Sequence, residues 1–334
     1  MLNYKPLYLL SILLLASAAL IFLCFTETGN DKDKQYREAF TAHNQAYAIH
    51  IPGKVSFAGE EISTDPYYIR EGLDKELLVN TYWHSNTMQL LKRANRYFPV
   101  IEPILKKNNV PDDFKYLALI ESGLLNVVSP SNAAGFWQFL DNTGRQYGLE
   151  VTEQVDERYH LVKSTEAACR YLREARAKFN NWTLAAASYN AGQGRISREW
   201  ERQKTNSYYD LYLNAETSRY IYRIIAMKLI CENPAAYGFY LRNKDLYPPF
   251  DTYTVKTDTS IADLINFAAR YNINYRILKE FNPWLRSDQL KVLPGKSYLI
   301  DLPEKHSVNY SGLMKKVNDP DSMVGLPSSS GEAQ

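Results

Sequence analysis

The spacing of apolar residues divides the chain into parts. After Lys5, the run Leu7–Phe25 carries no charge and is long enough for one membrane-spanning helix. The lone cation before it predicts a cytoplasmic N-terminus and a chain exported beyond an anchor or signal at residues 1–25. Residues 26–70 lose that pattern. The mixed charges Asp31-Lys32-Asp33-Lys34 and the break at Pro52-Gly53 predict a linker or loosely packed extension there, running to about residue 66. From about Glu71 to Asn233 the period is helical almost throughout. Leu73, Leu77, Leu78, Tyr82, Leu90 and Leu91 begin one long helix, and Phe98, Ile101, Ile104 and Leu105 follow it. Shorter helices are predicted at Trp137–Tyr147, ended by Gly148, and at Thr183–Ala191, ended by Gly192 and Gly194. Thr165–Phe179 and Glu216–Cys231 are longer ones, and Ala185, Ala186 and Ala187 would let helices approach closely. Residues 71–245 therefore read as an all-α domain. After Tyr247-Pro248-Pro249 the pattern changes. Thr252–Val255 reads as a short strand, Ile261, Leu264, Ile265 and Ala268 as a helix, and Leu278 with Phe281 as a second helix. Leu293-Pro294-Gly295 then turns into the strand Ser297–Asp301, so residues 250–303 form a small βααβ unit. The tail 304–334, ending Ser328-Ser329-Ser330-Gly331, is expected to be disordered.

One position breaks the helical pattern. In the stretch Asp112–Gln138, Pro111 suits a first turn, and Asp112 and Asp113 complement the positive helix end. Phe114, Leu117 and Ala118 fall at i, i+3 and i+4, and the next position on that stripe is Glu121. Leu124 and Leu125 continue the stripe one turn later. A charged carboxylate buried without partners is costly, so it either pairs with a cation or rises in pKa and holds a proton. The first outcome is a structural ion pair; the second is an acid poised near neutrality, as cleavage of a glycosidic bond requires. Periodicity leaves both open.

Neighbouring words narrow the choice. They are Glu121-Ser122, Ser129-Pro130, Ala134-Gly135-Phe136-Trp137-Gln138, then Ser188-Tyr189-Asn190-Ala191-Gly192 after Leu184–Ala187, and finally Glu216-Thr217-Ser218-Arg219-Tyr220-Ile221. In this order they resemble the lytic transglycosylases of the bacterial cell wall, the lysozyme-like family 23 of glycoside hydrolases, nearest to its membrane-bound murein transglycosylase D group. The resemblance implies a mainly α chain whose residues 71–245 are a lysozyme-like (goose-type/transglycosylase) catalytic domain. It implies Glu121 as the catalytic acid and base. Ser129 and Gln138 would line the groove and bond the N-acetyl and sugar groups, and Tyr189 would stand close to Glu121. Asn190 would close its helix against the Glu121 helix, while Glu216 and Tyr220 flank the groove with Tyr220 touching substrate. Ser122 would support the acid, its bland reading being local bonding at a helix end. Trp137 could stack on a sugar, although an aromatic beside a core helix is more often packing. Asp156-Glu157-Arg158 resembles a family element from which Tyr159-His160 depart, and it reads as structural. The βααβ unit resembles the LysM glycan-binding module in Tyr253-Thr254-Val255, Asn282-Pro283 and Pro294-Gly295. It departs at Lys256–Ser260, where LysM repeats carry a glycine, which leaves glycan binding and a purely structural copy both open.

Composition adds limits. A net charge of +2 over 334 residues gives no reason to expect nucleic acid. Tyrosines, 26 against 13 Phe, suit sugar contact and half-exposed core positions alike. Cys24, Cys169 and Cys231 make no disulfide framework; Cys169 and Cys231 read as free thiols, with a bridge between them the alternative. Cys24 invites lipidation, which Leu23 before it disfavours, and Ala16, Ala18 and Ala19 admit a cleaved signal. Five scattered histidines suggest no metal, and no cofactor is expected. The combined expectation is a peptidoglycan lytic transglycosylase, tethered to the membrane and facing the periplasm, with glycan strands as its partner; no protein partner can be read. Two alternatives remain. A lysozyme-type hydrolase needs a group to activate water, and the motifs supply none. A non-catalytic peptidoglycan-binding protein would have no reason to keep Glu121, Gln138 and Tyr189 together.

Overall fold

A computed structural model describes residues 46–324, together with helical residues at 33–35, 37, 38 and 41. The chain divides into two units between Ala48 and Ile49. In the first only a handful of residues are described, and the run Leu7–Phe25 with Cys24 lies outside them. No described helix is long and apolar enough to cross a membrane.

The second unit begins with order where a loose extension was expected. Lys54–Phe57 (β1) and Glu60–Ser63 (β2) form an antiparallel hairpin, Val55 opposite Ile62 and Phe57 opposite Glu60. Ala58 and Gly59 both take positive φ, the two-residue turn whose twist matches paired strands. Alternation sends Val55, Phe57 and Ile62 inward, and the Phe57 ring packs 5.2 Å from that of Phe114. The Glu60 carboxylate accepts from the amides of Trp182 and Thr183 at 2.6 and 3.0 Å, so it caps a helix start with charge of the favoured sign. The hairpin therefore clamps two helices of the domain.

The helices follow as Tyr67–Tyr82 (α1), His84–Lys107 (α2), Lys115–Ser122 (α3), Asp141–Gln146 (α4), Leu161–Phe179 (α5), Trp182–Ala191 (α6), Gln193–Gln203 (α7) and Ala215–Glu232 (α8). Four differ from expectation. The single long helix is two, broken at Trp83, whose ψ of 60° leaves the helical region. Trp137–Phe139 belong to a loop, so the helix expected over 137–147 is only α4. α3 stops at Ser122 because Gly123 turns left-handed at φ 62°, so Leu124 is buried by the loop while Leu125 is exposed. α7 went unpredicted because Ile196 is its one buried residue, and it starts immediately after Gly192. α6 fits its sequence: Thr183 through Ser188 are all buried, its small side chains letting neighbours approach closely. α8 lies against α1, α3 and α6 with Ile221, Ile224, Ile225, Met227 and Ile230 inside. Cys169 and Cys231 are free thiols.

Thr252–Thr257 (β3), Leu264–Arg270 (α9), Tyr275–Phe281 (α10) and Tyr298–Pro303 (β4) form the expected βααβ unit, β3 antiparallel to β4 with Val255 opposite Ile300. Its core is shared with the helical part. Ala134, Val155 and Tyr159 pack with Leu264, Leu278, Leu285 and Ile300. The Asp156 amide donates to Trp284 O at 2.9 Å, Arg286 N to Gln154 O at 2.8 Å, and Lys296 pairs with Glu150 at 2.6 Å. The connection between α10 and β4 is thus a joint with the helical part. The tail expected to be disordered is ordered as far as it is described: Tyr310–Met314 (α11) buries Leu313, and Asn243 N donates to Ser322 O at 3.0 Å. Residues 325–334 lie outside the description.

Candidate active site

Glu121 sits in the last turn of α3, at the negative end of the helix, where a carboxylate gains nothing from the backbone dipole. It lines a cavity of about 510 Å³ walled by α1, the start of α2, α3 and α8. Burial raises the Glu121 pKa from its ordinary value; the Tyr220 hydroxyl and the Arg223 guanidinium pull it back, and Glu216 adds to the rise. Tyr220, 1% exposed, donates a short hydrogen bond to Glu121 Oε1. Among the described residues Glu121 forms no ion pair. Arg223 instead donates to Ile120 O at 3.0 Å, capping the carbonyl end of α3. That arrangement is not a salt bridge, and burial favours the protonated form.

The other carboxylates of the cavity are engaged. Glu76, 2% exposed, is paired with Arg219 at 2.6 Å. Glu216 accepts from Asn190 Nδ2 at 3.0 Å, and Asn190 Oδ1 in turn accepts from Thr217 Oγ1 at 2.9 Å, tying α6 to α8.

The expected site residues divide into two groups. Glu121, Ser122 and Glu216 line the cavity, and Tyr220 bonds Glu121. Ser129, Gln138, Tyr189 and Asn190 are not among its lining residues; they hold the surroundings. Ser122 Oγ donates to Phe136 O at 2.8 Å and accepts from Leu124 N at 3.1 Å, so the local bonding expected of it also fastens the 127–139 loop to α3. Ser129 Oγ accepts from Ala133 N at 3.0 Å, closing a tight turn. Gln138, at φ 49°, donates through Nε2 to Val127 O and Gly135 O at 3.0 and 2.8 Å. Gly135 takes φ 78°, and a Cβ there would stand 2.0 Å from Arg158 O, so only glycine fits. Trp137 is fully buried with Nε1 bonded to Thr165 Oγ1 at 2.8 Å, a packing residue, and Tyr189 donates to Trp137 O at 2.8 Å.

Trp83, Arg93, Arg219 and Arg223 also line the cavity, and sequence reasoning passed over them. For Arg219 and Arg223 a signal existed: with Glu216 and Tyr220 they recur at helical spacing along α8. Trp83 and Arg93 carry no such signal, because nothing in the apolar spacing marks the break that brings α1 and α2 together.

Comparison with known proteins agrees with this layout. Residues 98–212 match the family model of the transglycosylase SLT domain, and residues 253–306 that of the soluble lytic transglycosylase C-terminal LysM-like domain. The membrane-bound lytic murein transglycosylase D of Escherichia coli K12 is 30% identical over 261 residues, covering 75% of this chain and 56% of that protein. Its namesake in Escherichia coli O6:H1 gives the same figures. A putative tributyltin chloride resistance protein of an Alteromonas species is 29% identical over 108 residues, 32% of this chain and 52% of that one. The chain thus spans about half the length of these relatives. It carries a lysozyme-like SLT domain followed by a small LysM-like domain with two strands.

Proposed function

We propose, from a chain that joins an SLT domain to a LysM-like module, that it is a peptidoglycan lytic transglycosylase. The bond cleaved is the β-1,4 link from N-acetylmuramic acid to N-acetylglucosamine, and the product is a 1,6-anhydromuramic end. The observation that carries this reading is Glu121, lodged in a cavity, unpaired by any cation among the described residues and displaced toward its protonated form.

Glu121 gives its proton to the glycosidic oxygen as the bond from the muramic C1 to that oxygen breaks, and the N-acetylglucosamine side leaves with a hydroxyl. The muramic acetamido oxygen shields the positive charge growing at C1, the substrate-assisted exception to the two-carboxylate scheme. Ionised Glu121 then takes the proton of the 6-hydroxyl, whose oxygen closes on C1. No water is consumed, and the attacking group is already part of the ring, so proximity favours it. Tyr220 steadies the carboxylate in its ionised phase, since its hydroxyl is already aimed at Oε1. Ser122 and Glu216 border the sugars, while Ser129, Gln138, Tyr189 and Asn190 fix the loop and helix beside them.

Glu76 is held by Arg219 and Glu216 by Asn190, so neither stands as the uncommitted second carboxylate of a two-carboxylate hydrolase. The uncharged run Leu7–Phe25 and the name of the membrane-bound relative support an exported, membrane-tethered chain in the cell envelope, facing the periplasm. Asp258, Thr259, Ser260, Ile265 and Asn266 of the LysM-like module are exposed and open to wall glycan.

Mass spectrometry of fragments released from purified peptidoglycan tests the reading. Anhydro-ended products from the wild type, absent with Glu121→Gln, are expected. Ordinary reducing ends would make the protein a hydrolase, and wall binding without any fragments would make it a binding protein.

A further inference from the structure

The cavity around Glu121 contains a cation without a counter-charge. Three guanidinium groups line it. Arg219 is held by Glu76 at 2.6 Å, and Arg223 faces Glu121 while donating to Ile120 O. Arg93, on α2, is in no ion pair among the described residues. Its Nε is buried with no acceptor, and the one bond it makes is a long one from Nη1 to Gln89 Oε1, 3.3 Å. Its Nη2 reaches the end of α3: a Cβ on Gly123, the residue after Ser122, would stand 3.3 Å from it. Burial lowers the Arg93 guanidinium pKa from its ordinary value, with the Tyr247 and Tyr97 hydroxyls opposing. A buried guanidinium N–H without an acceptor is unfavourable in a finished fold, and the group that satisfies a guanidinium fork is a carboxylate. Arg93 also precedes the SLT-matched segment 98–212, so the domain match assigns it nothing.

We infer that Arg93 is an anion-recognising residue of the Glu121 cleft and binds a carboxylate carried on the muramic-acid side of the glycan. The inference rests on the peptidoglycan reading above. Two sources share this chemistry: the lactyl carboxylate of a strand stripped of peptide, and the carboxylates of an attached stem peptide. Either would orient the strand, because only the muramic sugar carries such a group.

The test measures glycan binding by the full-length Glu121→Gln protein, with Arg93 intact, as Arg93→Gln, and as Arg93→Lys. Probes are a neutral chitooligosaccharide, peptide-stripped glycan strands and peptide-bearing strands. Arg93→Gln is expected to weaken binding of carboxylate-bearing strands about tenfold or more and to leave the neutral oligosaccharide unchanged. Arg93→Lys should restore part of the loss, and salt should weaken the parent more than Arg93→Gln. A loss confined to stripped strands selects the lactyl group; one confined to peptide-bearing strands selects the stem. Equal losses on all three probes, with an unchanged unfolding midpoint, would reduce Arg93 to wall shape and overturn the assignment, as would no loss on any. Should Arg93→Gln fail to fold, the Arg93→Lys comparison across the three probes decides by the same criterion. Failure of the parent to bind any of the probes would remove the peptidoglycan reading itself, and the assignment with it.

Discussion

Two groups of buried charge lie on either side of the 127–139 loop, and they differ in whether each charge has its partner. At the joint with the LysM-like module, buried Asp156 pairs with the half-buried Arg158 at 2.7 Å. Arg158 also donates to Asn132 O at 3.0 Å and Phe139 O at 3.2 Å, and Glu157 pairs with Lys163 while accepting from Glu150 N at 2.9 Å. In the cleft, among the described residues, Glu121 has a tyrosine and no ion pair, and the buried Nε of Arg93 has no acceptor. The lesson concerns the meaning of burial. A satisfied buried charge fixes a joint, and an unsatisfied one beside a cavity waits for a ligand or a proton.

Substitutions should separate the two groups. The largest effect belongs to chemistry: Glu121→Gln should lower turnover by roughly 10²–10⁴-fold, the usual worth of a general acid, measured as release of soluble muropeptides. Next comes the joint. Arg158→Ala strands the Asp156 carboxylate and releases two loop carbonyls. Stability should fall by about 3–5 kcal/mol and the unfolding midpoint by on the order of 10 °C in calorimetry, with activity lost because the loop is lost.

The two regions should also answer pH in opposite senses. His160 stacks on Trp284 at the joint, and its pKa is pushed down to about 4 by burial, with Lys163 adding and Asp301 opposing. The unfolded chain takes that proton near pH 6.5, so the stability contributed is full above 6.5 and is lost as pH falls toward 4. The loss amounts to at most about 3 kcal/mol, and unfolding midpoints of His160→Gln should vary less over that window than those of the wild type. The smallest effect is Tyr220→Phe. Removing a bond that lowers the Glu121 pKa should move the alkaline limb of the turnover profile to higher pH, with a rate change under about tenfold. An unmoved limb would take Glu121 out of that limb.

The helical middle and the βααβ unit were legible because apolar periodicity is set by burial, which both preserve. Glu121 was legible because a carboxylate broke a stripe that Phe114, Leu117 and Ala118 had established. The hairpin was missed although Val55, Phe57 and Ile62 alternate around Ala58-Gly59, because four-residue strands give too short a pattern against polar flanks. The 127–139 loop could not be read locally. Its shape depends on Arg158 arriving from elsewhere in the chain and on left-handed backbone at Gly135 and Gln138. Ser129 and Gln138 both spend side-chain hydrogen bonds on that shape. Arg93 was out of reach for a different reason: only the folded cavity reveals that its buried Nε has no acceptor among the described residues.

The most direct test is the unfolding midpoint of Glu121→Gln against wild type, followed across pH. Because the folded pKa is raised, the wild type keeps its full stability only below the ordinary carboxylate range and loses it as pH rises through the folded value. The variant should therefore match the wild type in acid and equal or exceed it at neutrality, the gap opening as pH rises. A fall at neutral pH comparable to that of Arg158→Ala would mean that Glu121 is a structural partner like Asp156, and the distinction between the two regions would collapse.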